Sequence, residues 1–130
     1  MPTTNQLKRG RRPKVLVVED NPAVREFIVR SLSLDGYELT AAIDGQQALD
    51  ILASDRYDLL VSDIVMPNVD GIELARKASV EYPDIKIIMI SGYSQERVRA
   101  HNLDSLVHRV VAKPFSLEEI CEAVKNTLFM

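Results

Sequence analysis

Nearly continuous apolar runs of strand length are the feature that most constrains the fold of this chain. Three of them, at about 14–18, 58–62 and 85–90, lack the regular polar alternation of a strand with one solvated face. Strands with this composition are typical of parallel sheets that are covered by helices on both faces. The sequence therefore predicts a buried parallel sheet.

Helical patterns alternate with five such strands along the chain. Right-handed crossovers between parallel strands place helices on both faces of the sheet. We therefore expect an α/β fold, a doubly wound (βα)5 sandwich with the flavodoxin-like strand order 2-1-3-4-5. The predicted strands lie at about 14–18, 37–42, 58–62, 85–90 and 107–112, and the predicted helices begin near residues 22, 44, 71, 94 and 116.

The composition is that of a soluble globular domain. The chain has 130 residues, of which 46% are hydrophobic and 27% charged, enough for a substantial core. No apolar run approaches the roughly 20 residues of a membrane span, and no signal peptide is visible. The single cysteine, Cys121, excludes an internal disulfide, so we expect a cytoplasmic protein. The net charge of −3 gives no general attraction to nucleic acid, and we expect no DNA-binding domain.

Basic residues are concentrated at the amino terminus. We expect residues 1–13 to form a flexible, solvated tail and residues 14–130 to form one domain. An arm that binds nucleic acid or acidic lipid is the alternative interpretation of this charge. The basic residues in question are Lys8, Arg9, Arg11, Arg12 and Lys14.

Acidic residues follow two of the predicted strands at the point where each strand ends. Glu19 and Asp20 follow the first strand, and Asp63 follows the third. These two strands are neighbours in the expected order, so the three carboxylates should lie side by side at the carboxyl edge of the sheet. Clustered carboxylates repel one another, and Mg²⁺ with its preference for oxygen ligands would relieve that repulsion.

A phosphoryl-transfer site fits these acids. Asp63 could attack a phosphoryl donor and form an aspartyl phosphate. Lys113, at the end of the fifth strand, could supply a cation to a phosphoryl oxygen, and the hydroxyl of Ser91, at the end of the fourth, could donate to another. The three residues are therefore the candidate catalytic group.

The chain resembles the response-regulator receiver domains of two-component signalling over about residues 14–128. Each motif is weak alone, but together and in order at successive strand ends they are highly specific. The matching residues are Glu19-Asp20, Asp63, Met66-Pro67, Asp70-Gly71, Ser91-Gly92 and Lys113-Pro114-Phe115.

The resemblance implies a role for each site residue. Asp63 is the phosphoacceptor, and Asp20, Asp63 and the backbone carbonyl of Val65 bind Mg²⁺, with Glu19 acting through a metal-bound water. Ser91 and Lys113 contact the phosphoryl group, and the Lys113–Pro114 peptide bond is cis.

One departure from the family pattern concerns the switch. Receivers usually carry Tyr or Phe three residues before the lysine, as the aromatic residue that moves with the Ser/Thr. Here that position is Val110, so we expect Tyr93 to replace it, and Ser91, Tyr93 and Val110 are the candidate switch residues. The expected interaction face is formed by the helix at about 94–103, the fifth strand and the last helix.

The resemblance predicts a stand-alone response regulator that catalyses its own phosphorylation and dephosphorylation but no other reaction. Residues 63–79, with Ser91-Gly92-Tyr93, are most similar to the CpdR-like single-domain regulators, in which phosphorylation controls delivery of substrates to the ClpXP protease. The expected partners are a cognate histidine kinase or histidine phosphotransferase and an output protein of unknown identity.

Three alternatives remain open. The chain could shuttle phosphate between other proteins of a phosphorelay. A magnesium-dependent phosphatase of the haloacid dehalogenase type would need a second aspartate two residues after the nucleophile, where this chain has Val65. A flavodoxin-like cofactor binder would need a phosphate-binding loop after the first strand, where Glu19 and Asp20 would repel a phosphate.

Overall fold

The computed structural model describes residues 12–92 and 106–130. Within them, helices pack against a five-stranded parallel sheet of order β2-β1-β3-β4-β5, which confirms the predicted α/β class and strand order. The predicted helix at about 94–103 lies outside the described residues. In chain order the elements are β1 (Lys14–Val18), α1 (Pro22–Ser33), β2 (Glu38–Ala42), α2 (Gly45–Ser54), β3 (Leu59–Asp63), α3 (Gly71–Glu81), β4 (Lys86–Ser91), β5 (Arg109–Ala112) and α4 (Leu117–Leu128).

The register of the sheet aligns the carboxyl ends of the strands. Val18 at the end of β1 lies opposite Ser62 of β3, so the residues that follow each of them share one edge. Ser91 at the end of β4 lies opposite Ala112 at the end of β5. The polar residues that follow these strands are therefore brought to one edge of the sheet by the pairing itself.

Two apolar layers cover the sheet, one on each face. Alternate residues of each strand point to opposite faces, so Val15 and Leu16 belong to different layers although both are fully buried. One layer packs β-strand side chains against α2 and α3, and the other packs them against α1 and α4. Burial on both faces explains the continuous apolar composition of the central strands.

The helix termini follow the sequence signals closely. Asn21 caps α1 and accepts hydrogen bonds from two backbone N–H groups, with Pro22 as the first helical residue. Ser116 and Glu119 form a capping box at the start of α4, as the Ser-Leu-Glu-Glu sequence there predicts. Gly36 adopts a φ of +77°, a left-handed conformation that stops the chain from continuing α1.

The helical spacing of apolar residues predicts that Phe27 and Leu117 face the core together with Ile28 and Leu32, but the first two are partly solvent-exposed. Phe27 of α1 is 40% exposed and Leu117 of α4 is 37% exposed. Ile28 and Leu32, on the same predicted face of α1, are fully buried. Phe27 lies close to Phe115, with ring centroids 5.9 Å apart, so this part of the stripe contacts a loop aromatic instead of the core. Among the described residues, no helix has the length and apolar composition to cross a membrane.

Leu16 and Leu34 provide a matched test of the core. Leu16 is fully buried at the centre of β1, and Leu34 after α1 is 70% exposed. Leu16→Ala should lower the free energy of unfolding by about 2–5 kcal/mol, because it removes buried methyl groups and leaves a cavity. Leu34→Ala should change it by less than about 0.5 kcal/mol. Urea titration of both variants measures the two values, and similar losses would contradict the assigned core.

Candidate functional site

The three predicted acidic residues lie together at the carboxyl edge of the sheet. Glu19 directly follows β1 and Asp63 is the last residue of β3. A carboxylate oxygen from each, together with one from Asp20, lies within 4.8 Å of the others. Glu19 and Asp63 are buried while Asp20 is exposed, so the cluster is shielded from solvent on one side and accessible to it on the other.

Glu19 is held in place through its backbone and one carboxylate oxygen. Its Oε2 accepts a hydrogen bond from the Asn21 backbone N–H (3.0 Å), and its carbonyl accepts one from Arg25 Nη1 (2.8 Å). Its buried Oε1 accepts no hydrogen bond within the described part of the chain, and lies 3.5 Å from Lys113 Nζ. A buried carboxylate oxygen without a hydrogen bond is costly unless a cation is nearby.

The same burial changes the protonation of Glu19. Burial, and after it the charge of Asp63, raise its pKa to about 7 against the effect of the Asn21 hydrogen bond. Lys113 opposes this change, because its positive charge favours the ionised form. Glu19 therefore carries a proton part of the time near neutral pH unless a cation binds the cluster.

Lys113 reaches the cluster from the end of β5. Its Nζ donates to Asp63 Oδ2 at 3.0 Å, and its backbone N–H donates to the Ser91 carbonyl at 2.8 Å. Burial alone would lower the pKa of Lys113, but its hydrogen bond to Asp63 and the charges of Asp63 and Glu19 raise it. The lysine is therefore a cation at physiological pH. The expected cis Lys113–Pro114 peptide bond is confirmed.

The remaining predicted site residues occupy different positions around the cluster. Ser91 is buried at the end of β4, and Val65 is 54% exposed in the loop after β3. Val110 lies on β5 opposite Met89 and packs against the core layer that contains Leu16. Tyr93 lies outside the described residues.

A cleft of about 740 Å³ lies above the acids. Its polar floor contains Glu19, Asp63 and Lys113, and its apolar rim includes Phe27 and Phe115. The floor can hold a cation and an anionic group together, because carboxylates and an ammonium group share it.

Arg25 and the Phe27–Phe115 contact are features that the sequence did not indicate. An arginine in the first turns of a helix is usually solvated, and no spacing signal shows that it returns to the carbonyl of Glu19. Phe27 fits the core stripe of α1 by spacing alone. Only the position of the loop after β5 shows that it contacts Phe115.

The donor set of the cluster fits a hard divalent cation. It offers carboxylate oxygens from Glu19, Asp20 and Asp63, and the exposed side of the cleft leaves room for metal-bound water. The observation that favours a bound cation most directly is Glu19 Oε1, a buried carboxylate oxygen that accepts no hydrogen bond from the described residues and has the Lys113 ammonium only at 3.5 Å.

Comparison with known proteins shows which family the chain belongs to. Residues 15–125 match the family model of the response regulator receiver domain. The chain belongs to this family. The response regulator TrrA of Thermotoga maritima, solved in complex with Mg²⁺ and BeF, is 35% identical. Its structure superposes with a TM-score of 0.80 over 88% of this chain and 98% of that one.

Other receivers are similar in fold or in sequence. A CheY-like receiver domain protein of Methanospirillum hungatei is 26% identical, with a TM-score of 0.83 over 90% of this chain and 94% of that chain. The response regulators MprA of Mycolicibacterium vanbaalenii and Mycobacterium tuberculosis are 39% and 40% identical over 115 residues, which make up 88% of this chain. The matched segment spans about half the length of these curated relatives, 50% in each case.

The raised pKa of Glu19 predicts a defined pH dependence. A carboxyl group whose pKa rises from 4.5 to about 7 on folding binds more protons in the folded state than in the unfolded chain. Stability is therefore lost as pH rises through that window. Relative to Glu19→Gln, the wild type should lose roughly 1–3 kcal/mol between about pH 4.5 and 7 in the absence of magnesium.

Thermal melts over this pH range, with and without magnesium, measure the effect. Millimolar magnesium should recover the lost stability above pH 7 in the wild type, because a cation offsets the carboxylate repulsion. Asp20→Asn should abolish that recovery while leaving the protein folded. Parallel pH profiles for wild type and Glu19→Gln would contradict the assignment of the buried acid.

Proposed function

We propose that this receiver domain accepts a phosphoryl group on Asp63 and acts as a phosphorylation-dependent switch. The observation that carries the proposal is the contact between Asp63 and Lys113 within a buried acid cluster. A structural carboxylate needs one partner, whereas this one shares its site with two further acids and faces an open cleft. Such an arrangement costs stability and is typical of a functional site.

The chemistry is an in-line displacement at phosphorus. An Oδ atom of Asp63 forms the new bond to phosphorus while the bond from phosphorus to the donor breaks. The departing electron pair leaves with the imidazole of a phosphohistidine or with the acetate of acetyl phosphate. The reaction needs positioning and charge neutralisation more than acid–base catalysis, and these are the properties that the cleft provides.

Lys113 and Ser91 are proposed to hold the transferred group. The Lys113 ammonium lies 3.0 Å from Asp63 Oδ2, so it is close enough to contact an oxygen of a phosphoryl group on Asp63. Ser91 ends the neighbouring strand, and its carbonyl accepts the Lys113 backbone N–H. This hydrogen bond fixes the spacing between the two residues that would grip the phosphoryl group.

The proposed metal is Mg²⁺, held by Asp20, Asp63 and the Val65 carbonyl, with Glu19 acting through a water molecule. When bound, Mg²⁺ neutralises negative charge on the carboxylates and on phosphoryl oxygens. The unsatisfied Glu19 Oε1 and the magnesium complex of the Thermotoga relative support this assignment.

The proposed donor is a histidine kinase or histidine phosphotransferase, and the output is a contact with another protein in the cytoplasm. Addition of a group with about −1.5 to −2 charge next to Ser91 would bias the face that includes β5 and α4. CpdR-like control of proteolysis is one form of this proposal, and transfer of phosphate to a second protein is the other. The stand-alone arrangement expected from the sequence stays a prediction.

Phosphorylation at Asp63 is directly testable. Acetyl phosphate or a phosphoramidate with magnesium should add one phosphoryl group to the wild type, because these small donors need no kinase. The adduct should be labile to hydroxylamine, as an acyl phosphate is. Asp63→Asn should abolish labelling as detected by intact mass, while the matched variant Asp50→Asn, on the exposed face of α2, should label normally. Full labelling of Asp63→Asn would place the acceptor elsewhere.

The phosphorylated form should be long-lived. Val65, two residues after Asp63, has an apolar side chain that cannot orient or deprotonate an attacking water. The half-life of the isolated phosphoprotein, followed by loss of the mass adduct, should be minutes or longer. Val65→Asn should shorten it because an amide can orient water, whereas Val65→Ile should not. Decay of the wild type within seconds would refute slow hydrolysis.

A further inference from the structure

We propose that Gly45, the first residue of α2, is a positioning residue that sets the metal affinity of the Asp63 site. It acts through the loop at 64–70, which carries the Val65 carbonyl. This inference rests on the proposed function, since it concerns the same metal. Gly45 has no side chain and makes no contact with the acids, so its influence must pass through the loop.

The contact between Gly45 and the loop is too close for any side chain. A Cβ atom built on Gly45 would overlap the Val69 carbonyl oxygen and would lie 2.8 Å from Val69 Cβ. Gly45 is buried at the start of α2 and Val69 is only half-buried, so a side chain at Gly45 would displace the loop. The loop therefore packs directly against the backbone at the amino terminus of α2.

A side-chain contact joins the same two segments. Asp44 caps α2 by accepting the Gln47 backbone N–H at Oδ1 (2.8 Å). Its other carboxylate oxygen accepts the Asn68 side-chain amide (3.3 Å). Asn68 has a φ of 69°, so the chain turns sharply at the residue that touches Asp44. One aspartate thus serves as both a helix cap and a loop contact.

The opposite end of the loop is fixed just as closely. A Cβ on Gly71 would overlap the Asp63 carbonyl oxygen and would lie 2.8 Å from the Ile64 Cα. The Gly71 backbone N–H donates to the Ile64 carbonyl at 2.8 Å, which closes the loop on itself. The loop is therefore a short, closed segment. It begins directly after the proposed nucleophile and contacts α2 near its other end.

A shift at Val69 should reach Val65 because only three residues separate them, and one of the three is Pro67, whose ring fixes its φ angle. Ile64 and Met66, on either side of Val65, are 0% and 7% exposed, so the Val65 backbone is held between two buried side chains. Because closely packed side chains lie on both sides of it, the Val65 backbone has little freedom to absorb a displacement locally. Mutation of a residue that orients a metal ligand commonly lowers metal affinity by about 10–100-fold.

Two variants and one control test the inference in the full chain. Gly45→Ala should push Val69 away and weaken Mg²⁺ binding by about tenfold or more. Asp44→Ser keeps a cap for α2 but loses the oxygen that accepts Asn68, and should weaken binding by a smaller factor. Gly36→Ala is the control. It places an alanine at a φ of +77°, which is strained, but the new Cβ meets no other atom within 4 Å. It should lower the melting temperature and leave the magnesium dissociation constant unchanged.

The readout is the magnesium dissociation constant of the folded protein, from amide chemical shifts well below the melting temperature. A loss of affinity in Gly45→Ala with none in Gly36→Ala supports the inference, because a purely structural role would not separate the two. If Gly45→Ala fails to fold, Asp44→Ser decides the question. Wild-type affinity in Asp44→Ser, and in Gly45→Ala where it folds, would overturn the inference and leave the proposed function intact. A wild-type protein that binds no magnesium would overturn both.

Discussion

Electrostatic repulsion at the carboxyl edge of the sheet is the constraint on which the rest of this molecule depends. Glu19 and Asp63 are buried, and Asp20 lies beside them, so negative charge is held where solvent cannot fully screen it. Lys113 offsets part of that charge through its contacts with Asp63 and Glu19. The fold remains stable despite this unfavourable electrostatic free energy because apolar layers cover both faces of the sheet.

The architecture could be predicted from the sequence because its signals are local and agree with one another. Apolar runs give the strands, and Asn21-Pro22 and the Ser116–Glu119 capping box give the helix starts. The acids and the lysine could be placed because each lies at the end of a strand or within two residues of it, and parallel strands share one carboxyl edge. The limits of β1 match expectation, those of the other strands differ by one or two residues, and β3 extends through Asp63 instead of ending before it.

Contacts between distant segments could not be predicted in the same way. The hydrogen bond from Arg25 to the Glu19 carbonyl and the approach of Phe27 to Phe115 depend on how loops follow the strands. Gly45 illustrates the limit well, since a glycine at a helix start normally suggests only a permissive turn. The reason for this glycine is the Val69 backbone, which is 24 residues away in sequence and adjacent in space. No periodicity or composition encodes that proximity.

The hydrogen bond between the Lys113 backbone N–H and the Ser91 carbonyl has a mechanical consequence. Within the described part of the chain β5 pairs with β4, and this bond lies just beyond the last pair of their ladder, Ser91 opposite Ala112. Ser91 therefore cannot be displaced along its strand without straining the attachment of Lys113 or carrying the edge strand with it. A local movement of Ser91 toward the acids would in this way displace β5, the outer strand on the side of the sheet remote from β2.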